Sequence, residues 1–192
     1  MCMSMNNIFI FHGTDGYPEE NWFPWLKQEL EKKGCKVFVP QFPSPPIVPA
    51  KIAEWFDVLK KYEQDINKDT ILVGHSLGGI FTLRILEKLT HPVKAAFFVG
   101  TPIGVQPIKN YDRDNDFSGF SFDWESIKKK AADFVVFQSN DDPYVGLENG
   151  KELSKNLGVE LSFVPNAGHF NKRAGYLKFE KLRDKVLEIL EK

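Results

Sequence analysis

The sequence is poor in cysteine and carries no excess of either charge. Its 192 residues include two cysteines, Cys2 and Cys35, too few for a disulfide framework or a metal-binding cluster. We expect both to be reduced thiols. Lys and Arg together number 25, and Asp and Glu together number 26. This balance gives no electrostatic reason to expect nucleic acid as a partner.

Long hydrophobic runs are also missing from the sequence. No apolar segment approaches the roughly 20 residues that a helix needs to cross a bilayer, so we expect no membrane partner. The opening residues lack the basic start and apolar stretch of a secretory signal, and a cytoplasmic location is expected. The hydrophobic fraction of 42% and charged fraction of 27% are typical of a globular protein. The length suits a single domain over residues 1–192.

Short, continuously apolar segments recur along the chain, and each is followed by a pattern typical of a helix. Because these segments do not alternate with polar residues, they suit strands covered on both faces, as in a parallel sheet. The alternation of strand and helix predicts βαβ units, and hence an α/β fold of about six mostly parallel strands with helices on both faces. The predicted strands are Ile8–Phe11, Val37–Val39, Ile71–Val73, Ala95–Val99, Phe134–Phe137 and Leu161–Val164.

Apolar positions at helical spacing mark the segments between these strands. The predicted helices cover Trp25–Lys33, the stripe from Ile52 to Ile66, Ile80–Leu89, the turns before Gly158, and the tail from Phe179 to Ile189.

Two segments are predicted to be irregular. Pro40 to Pro49 holds five prolines and should form a stiff, extended crossover. Thr101 to Trp124 is too long for a tight turn between strand and helix, so it is a candidate lid or pocket wall. Within it, Asp112, Asp114 and Asp116 are interpreted as a solvated run of charge.

The segment Gly74-His75-Ser76-Leu77-Gly78 lies where a predicted strand ends and a helix begins. This G-x-S-x-G pattern is typical of a serine held in a strained turn with its hydroxyl exposed. The free N–H groups at the start of the next helix favour negative charge beside it. Ser76 is therefore a candidate nucleophile. The alternative is a turn of small residues that only connects strand and helix. The strand–turn–helix context favours the nucleophile over this alternative.

A serine nucleophile needs a base, and the sequence holds four histidines. His75 should point away from the serine hydroxyl, and His91 lies in a surface turn before a proline. His12 and His169 both follow predicted strands, and the carboxyl ends of parallel strands meet at one edge of a sheet. We favour His169 as the base. His12 then belongs to a wall in which Thr14 offers a backbone N–H to an oxyanion.

The carboxylate that orients the base is expected after the strand Phe134–Phe137, where Asp141 and Asp142 are adjacent. Pro143 favours an extended conformation at Asp142, which suits a side chain that projects from the sheet edge. Asp141 would then fix the loop by accepting hydrogen bonds from backbone N–H groups. We favour Asp142 as the triad acid, with Asp141 as the alternative.

The order Ser, Asp, His resembles the α/β-hydrolase superfamily. The elbow, His12-Gly13, Asn21-Trp22-Phe23-Pro24-Trp25-Leu26, the Asp pair and Gly168-His169-Phe170 are similar to the small serine hydrolases of the retinoblastoma-binding-protein-9 and YdeN group. The resemblance covers nearly the whole chain. It implies a hydrolase fold without a large cap domain, in which Ser76, Asp142 and His169 are catalytic and the N–H groups of Leu77 and Thr14 are the oxyanion donors.

The expected function is that of a serine hydrolase acting on a small-molecule ester with a small or medium acyl group. No metal or organic cofactor is expected. The candidates for lining an apolar substrate pocket are Trp22, Trp25, Phe117, Phe120 and Phe122, with core packing as the alternative for the tryptophans. Two other functions stay open: an acyltransferase that uses the same nucleophile, and a binding module that retains the fold without turnover.

Overall fold

The computed structural model describes residues 6–44 and 50–192. The predictions made for Cys2 and for the second half of the proline-rich segment lie outside these residues. Cys35 is buried and free. Within the described part of the chain, no helix combines the length and the apolar character needed to cross a membrane.

In the described part of the chain, six parallel strands form one sheet, as predicted, in the order β2-β1-β3-β4-β5-β6. The pairing register places Ile8 opposite Ile71 and Ile71 opposite Ala95, so the central strands are aligned. The strands are β1 (Asn7–Phe11), β2 (Lys36–Phe38), β3 (Ile71–His75), β4 (Val93–Val99), β5 (Ala131–Gln138) and β6 (Leu161–Phe163).

Helices cover both faces of this sheet. The α-helices are α1 (Phe23–Glu31), α2 (Ile52–Leu59), α3 (Leu77–Lys88), α4 (Tyr111–Ser118), α5 (Trp124–Ile127), α6 (Leu147–Leu157) and α7 (Glu180–Leu190), and short 3₁₀ helices lie at Lys60–Asp65 and Lys172–Ala174.

The central strands are buried on both sides because their alternate residues enter two different cores. Phe9, Leu72 and Phe98 pack into one core with residues of α2 to α6. Ile8 and Val73 pack into the other core with residues of α1 and α7. This double burial explains why the strands are continuously apolar in the sequence.

Some predicted helix boundaries differ from the structure. Helix α1 begins two residues before the predicted start, because Pro24 is tolerated in the first turn, where an N–H would have no helical partner. The predicted stripe from Ile52 to Ile66 is divided into α2 and a 3₁₀ helix.

The segment from Thr101 to Trp124 is more ordered than the sequence predicted. It contains all of α4, and an isolated bridge joins Ile108 to Val145. Asn149 also fixes its first part, since its side-chain oxygen accepts hydrogen bonds from the N–H groups of Ile103 and Val105, at 2.9 and 3.2 Å. Within the described residues, no large inserted domain covers the sheet.

Candidate active site

Ser76 lies in a sharp turn between β3 and α3. Its backbone has φ 54° and ψ −121°, a conformation that a residue with a side chain rarely adopts. The N–H of Ser76 donates to the carbonyl oxygen of Val99 at 2.9 Å, and its own carbonyl accepts from Gly79 at 2.9 Å. Since both backbone groups are bonded, the surrounding structure maintains the strained turn.

Glycines allow the backbones around this turn to approach closely. A Cβ atom on Gly74 would lie 2.5 Å from the carbonyl oxygen of Gly78. A Cβ atom on Gly13, in the loop after β1, would lie 2.9 Å from the Cβ of Ser76. Glycine at these two positions therefore lets the neighbouring backbone approach closely, and any side chain there would push it away.

His169 and Asp142 form a hydrogen bond at the same edge of the sheet. The Nδ1 atom of His169 lies 2.7 Å from Oδ2 of Asp142, whose side chain is fully buried. The other carboxylate oxygen accepts from the N–H groups of Tyr144 and Val145, at 2.9 and 3.0 Å. Because an ionised carboxylate only accepts, Nδ1 carries a proton in this hydrogen bond, and in a neutral ring Nε2 is then the acceptor.

Asp141 makes different contacts from its neighbour. Its Oδ1 atom accepts from the Ser139 hydroxyl and from the N–H of Gly168, the latter at 2.7 Å. The hydrogen bond from Ser139, and to a smaller extent that from Gly168, lowers the pKa of Asp141. Ser139 Oγ in turn accepts from the N–H of Ala167 at 2.9 Å. Asp141 thus joins the loop after β5 to the loop that carries His169.

The other three histidines make different contacts. His75 is buried, and burial together with the nearby His169 lowers its pKa to about 3. His12 accepts from the N–H of Phe42 at Nε2, 3.0 Å away, and its Nδ1 lies 2.9 Å from the Gly13 carbonyl. His91 is only partly buried and its ring lies beside the Pro92 carbonyl.

Ser76 and His169 line the same cavity, which has a volume of about 780 Å³. Gly13 and Thr14 form part of its wall, as does Tyr144, whose ring centroid lies 5.0 Å from that of His169. In the described part of the chain, the N–H groups of Thr14 and Leu77 have no hydrogen-bond acceptor. Two donors therefore remain free, one in the loop after β1 and one at the first residue of α3.

The structure places the predicted pocket aromatics away from this cavity. Trp22 is fully buried between the sheet and α7, and its indole N–H donates to the Phe170 carbonyl at 2.9 Å. Trp25 packs on the outside of the same core under Arg183. Phe120 stacks on Tyr111 at 5.4 Å between ring centroids. These three side chains pack within the fold and do not line the cavity.

Asp114, Glu20 and Tyr144 are among the cavity residues that were not identified from the sequence. Asp114, interpreted as solvated, is buried on α4 and accepts a hydrogen bond from the Thr14 hydroxyl at 3.4 Å. Burial raises the pKa of Asp114 to about 6 and that of Glu20 to about 7. Tyr144 is the third, and its position two residues after Asp142 was the signal available for it. Among the described residues, no three His, Cys, Asp or Glu side chains group as metal ligands.

The sheet order, the strained serine and the Asp–His pair at the carboxyl edge are those of an α/β-hydrolase fold. The sequence profile of the serine hydrolase family matches residues 8–188. The chain belongs to this family and is a hydrolase, as the resemblance predicted.

Two curated relatives support this assignment. The chain is 27% identical to YdeN of Bacillus subtilis over 185 residues, 96% of each chain. It is also 27% identical to the serine hydrolase RBBP9 of Rattus norvegicus over 160 residues, 83% of each.

Solved structures show the same fold. The crystal structure of YdeN aligns with a TM-score of 0.90, covering 98% of this chain and 100% of that one, at 27% identity. Est1E from Butyrivibrio proteoclasticus, in a structure with ferulic acid bound, aligns with a TM-score of 0.74 over 97% of this chain and 90% of that one. Its 15% identity makes it evidence for the fold alone.

Proposed function

We propose that this hydrolase cleaves carboxylic esters of small or medium acyl groups, with Ser76 as nucleophile, His169 as base and Asp142 as the residue that orients the base. The observation that carries this proposal is the 2.7 Å hydrogen bond between His169 Nδ1 and Asp142, on the wall of the cavity that also holds Ser76. The buried carboxylate fixes the tautomer in which Nε2 accepts a proton.

In the first half of the reaction, Nε2 of His169 takes the proton of the Ser76 hydroxyl as its oxygen attacks the ester carbonyl. The carbonyl oxygen becomes an oxyanion, which the free N–H groups of Leu77 and Thr14 stabilise. The C–O bond to the alcohol then breaks. The alcohol oxygen takes the proton from Nε2, and the acyl group stays on Ser76.

In the second half, water replaces the alcohol. His169 takes a proton from the water as its oxygen attacks the acyl carbon, and the same two N–H groups stabilise the second oxyanion. The bond to Ser76 Oγ breaks, and the serine recovers its proton from His169. One ester and one water thus give one acid and one alcohol, with the protein unchanged.

The experiment that tests the proposal combines covalent labelling with a substrate series. A fluorophosphonate probe should modify Ser76, as located by peptide mass spectrometry, because an activated serine attacks phosphorus as well as carbonyl carbon. p-Nitrophenyl esters of graded acyl length should be hydrolysed, with kcat/KM highest for short or medium chains. Absence of both labelling and ester turnover in folded protein would show that the proposed reaction is wrong. Faster cleavage of short peptide amides than of esters would show that the activity is that of a peptidase and not of an esterase.

A further inference from the structure

Three cationic side chains line one part of the cavity. Lys109 precedes α4, and Lys172 and Arg173 begin the 3₁₀ helix that follows His169. Among the described residues, none of these three makes an ion pair with a carboxylate, whereas Arg113 of α4 pairs with Asp15 at 3.1 Å. The charges of Lys109, Lys172 and Arg173 are therefore available to a ligand. We call these three residues and Tyr144 the cationic wall.

Tyr144 connects the cationic wall to the catalytic histidine. The Lys109 ammonium lies 4.9 Å from the centroid of the Tyr144 ring, and an Arg173 N–H donates to its hydroxyl at 3.5 Å. On its other side, the Tyr144 ring packs edge-on against His169, with ring centroids 5.0 Å apart. The cationic wall is thus directly beside the base.

The backbone of the wall is fixed by hydrogen bonds. The N–H of Lys109 donates to the carbonyl of Tyr144 at 2.9 Å, which joins the two loops. The N–H of Lys172 donates to the side chain of Asn21 at 2.8 Å, and Asn171 caps the short helix by accepting from Ala174 at 3.1 Å. The three cationic residues are exposed, so their side chains are accessible to an anion.

Acidic residues of the cavity do not cancel this charge. Asp15 is already paired with Arg113, and Asp114 is bonded to Thr14, on the oxyanion side of the serine. Burial raises the pKa of Glu20 to about 7, which disfavours its charged form near neutral pH. Even with the Asp142 carboxylate bonded to the N–H of Tyr144, the region around Tyr144 keeps a positive balance, because the wall holds three cations.

We propose that Lys109, Tyr144, Lys172 and Arg173 bind an anionic group, a carboxylate or a phosphate, on the alcohol part of the ester substrate. The assignment to the alcohol part follows from the proposed reaction, on which this inference depends. His169 returns its proton to the departing alcohol oxygen, so the alcohol lies beside the histidine ring and hence beside Tyr144. Lys and Arg supply charge-assisted donors that suit both kinds of anion.

Three phenyl acetates test this inference. They carry a carboxylate, a phosphate or a neutral carboxamide at the meta position, so they share the acyl group and differ in the charge of the alcohol. The measured quantity is the ratio of kcat/KM for each anionic ester to that for the carboxamide. Comparing this ratio between protein variants cancels the intrinsic reactivity of each ester. Which of the two anions gives the larger ratio identifies the preferred group.

In the double variant Lys109→Ala, Arg173→Ala, the ratio for at least one anionic ester should fall about tenfold, the typical size of a lost charge-assisted contact. Raising the salt to about 0.5 M should lower the wild-type ratio in the same direction. The matched control is Lys61→Ala, Lys68→Ala. It removes the same charge from exposed residues that precede β3, at the opposite edge of the sheet, and should keep the wild-type ratio.

The inference is wrong if the double variant keeps the wild-type ratio for both anionic esters while hydrolysing all three. It also fails, together with the proposed function, if wild-type protein hydrolyses none of the esters and is not labelled by fluorophosphonate. If the double variant does not fold by circular dichroism, Arg173→Gln alone decides: its ratio should fall about threefold, and an unchanged ratio overturns the inference.

Discussion

The ring of His75 donates a hydrogen bond from Nε2 to the backbone carbonyl of His169, 2.9 Å away. The direction is fixed because a carbonyl oxygen only accepts. The residue before the proposed nucleophile therefore holds the main chain of the proposed base, although the two are far apart in sequence. In the described residues the second ring nitrogen of His75, Nδ1, is buried without a partner, which requires a neutral imidazole.

This neutral, buried ring should make the protein less stable in acid. Burial lowers the pKa of His75 to about 3, whereas in the unfolded chain the ring binds a proton near its ordinary pKa of 6.5. Between these values the unfolded state holds the extra proton, so stability falls as the pH is lowered, by up to about 1.4 kcal/mol per pH unit. His75→Gln should show a shallower loss of Tm between about pH 7 and pH 4.

The control for this measurement is His91→Gln, which changes a partly exposed ring and should keep the wild-type dependence of Tm on pH. Equal slopes for the wild type and His75→Gln would contradict the role given to the buried ring.

Ser76→Ala should abolish esterase activity and fluorophosphonate labelling while leaving the melting temperature close to that of the wild type. Loss of a nucleophile in a comparable triad costs about 10⁴ to 10⁶ in kcat. Ser121→Ala, which changes an exposed serine, is the control and should retain both esterase activity and fluorophosphonate labelling. Substantial turnover by pure Ser76→Ala protein would exclude this serine as the nucleophile.

Asp142→Asn should lose about 10⁴ in kcat, because an amide at this position can donate to Nδ1 and so favour the wrong tautomer of His169. Its fold should persist, since the amide oxygen can still accept from the N–H groups of Tyr144 and Val145. The measurement is kcat on one well-hydrolysed ester, with circular dichroism alongside.

Asp141→Asn is the matched comparison. The bonds from Ser139 and Gly168 favour the ionised form of Asp141, so its contribution to stability is present at neutral pH and is lost in acid. The variant should melt earlier than the wild type at neutral pH and keep kcat within about tenfold. If Asp141→Asn instead loses activity by thousands-fold and Asp142→Asn does not, the triad acid is Asp141.

Asp114→Asn should stabilise the protein at neutral pH. Burial raises the pKa of Asp114 from 3.8 to about 6, so between these values stability falls as the pH rises. An amide of the same shape keeps an oxygen for the Thr14 hydroxyl without the cost of a buried charge. We expect a gain of roughly 1 to 3 kcal/mol near pH 7.5, measured by urea unfolding, and little difference below about pH 4.

Asp112→Asn is the control on the same helix, since Asp112 is exposed. It should change stability by less than about 0.5 kcal/mol. An Asp114→Asn variant no more stable than the wild type at pH 7.5 would show that the buried carboxyl is better solvated than its position indicates.

The strands and the serine turn could be predicted because their causes are local in the sequence. Strands with both faces buried must be apolar at every position, and a sharp turn into a helix needs small residues at defined positions around Ser76. The fold follows from the order in which these signals alternate.

Side-chain burial in the long segment could not be predicted in the same way. Helix α4 has polar side chains at every position from Asp112 to Asp116, and Asp114, unlike Asp112, is buried and bonded to Thr14, a contact made across about a hundred residues of sequence. The burial of Trp22 could not be predicted either, because its indole bonds to the carbonyl of Phe170, near the other end of the chain. Both are consequences of tertiary packing, which no short pattern in the sequence records.

The sheet order places Ser76 and His169 after strands of different expected stability. Ser76 follows the central strand β3, whereas His169 follows β6, a three-residue strand at the edge of the sheet. The loop with His169 is held by side-chain bonds from His75 and Trp22, by the links through Asp141 and by the packing of Phe170 in the second core. Edge elements of this kind open with less free energy than the whole domain. Heat should accordingly inactivate the enzyme before it melts the sheet, and amide hydrogens of β6 should exchange ahead of those of β3.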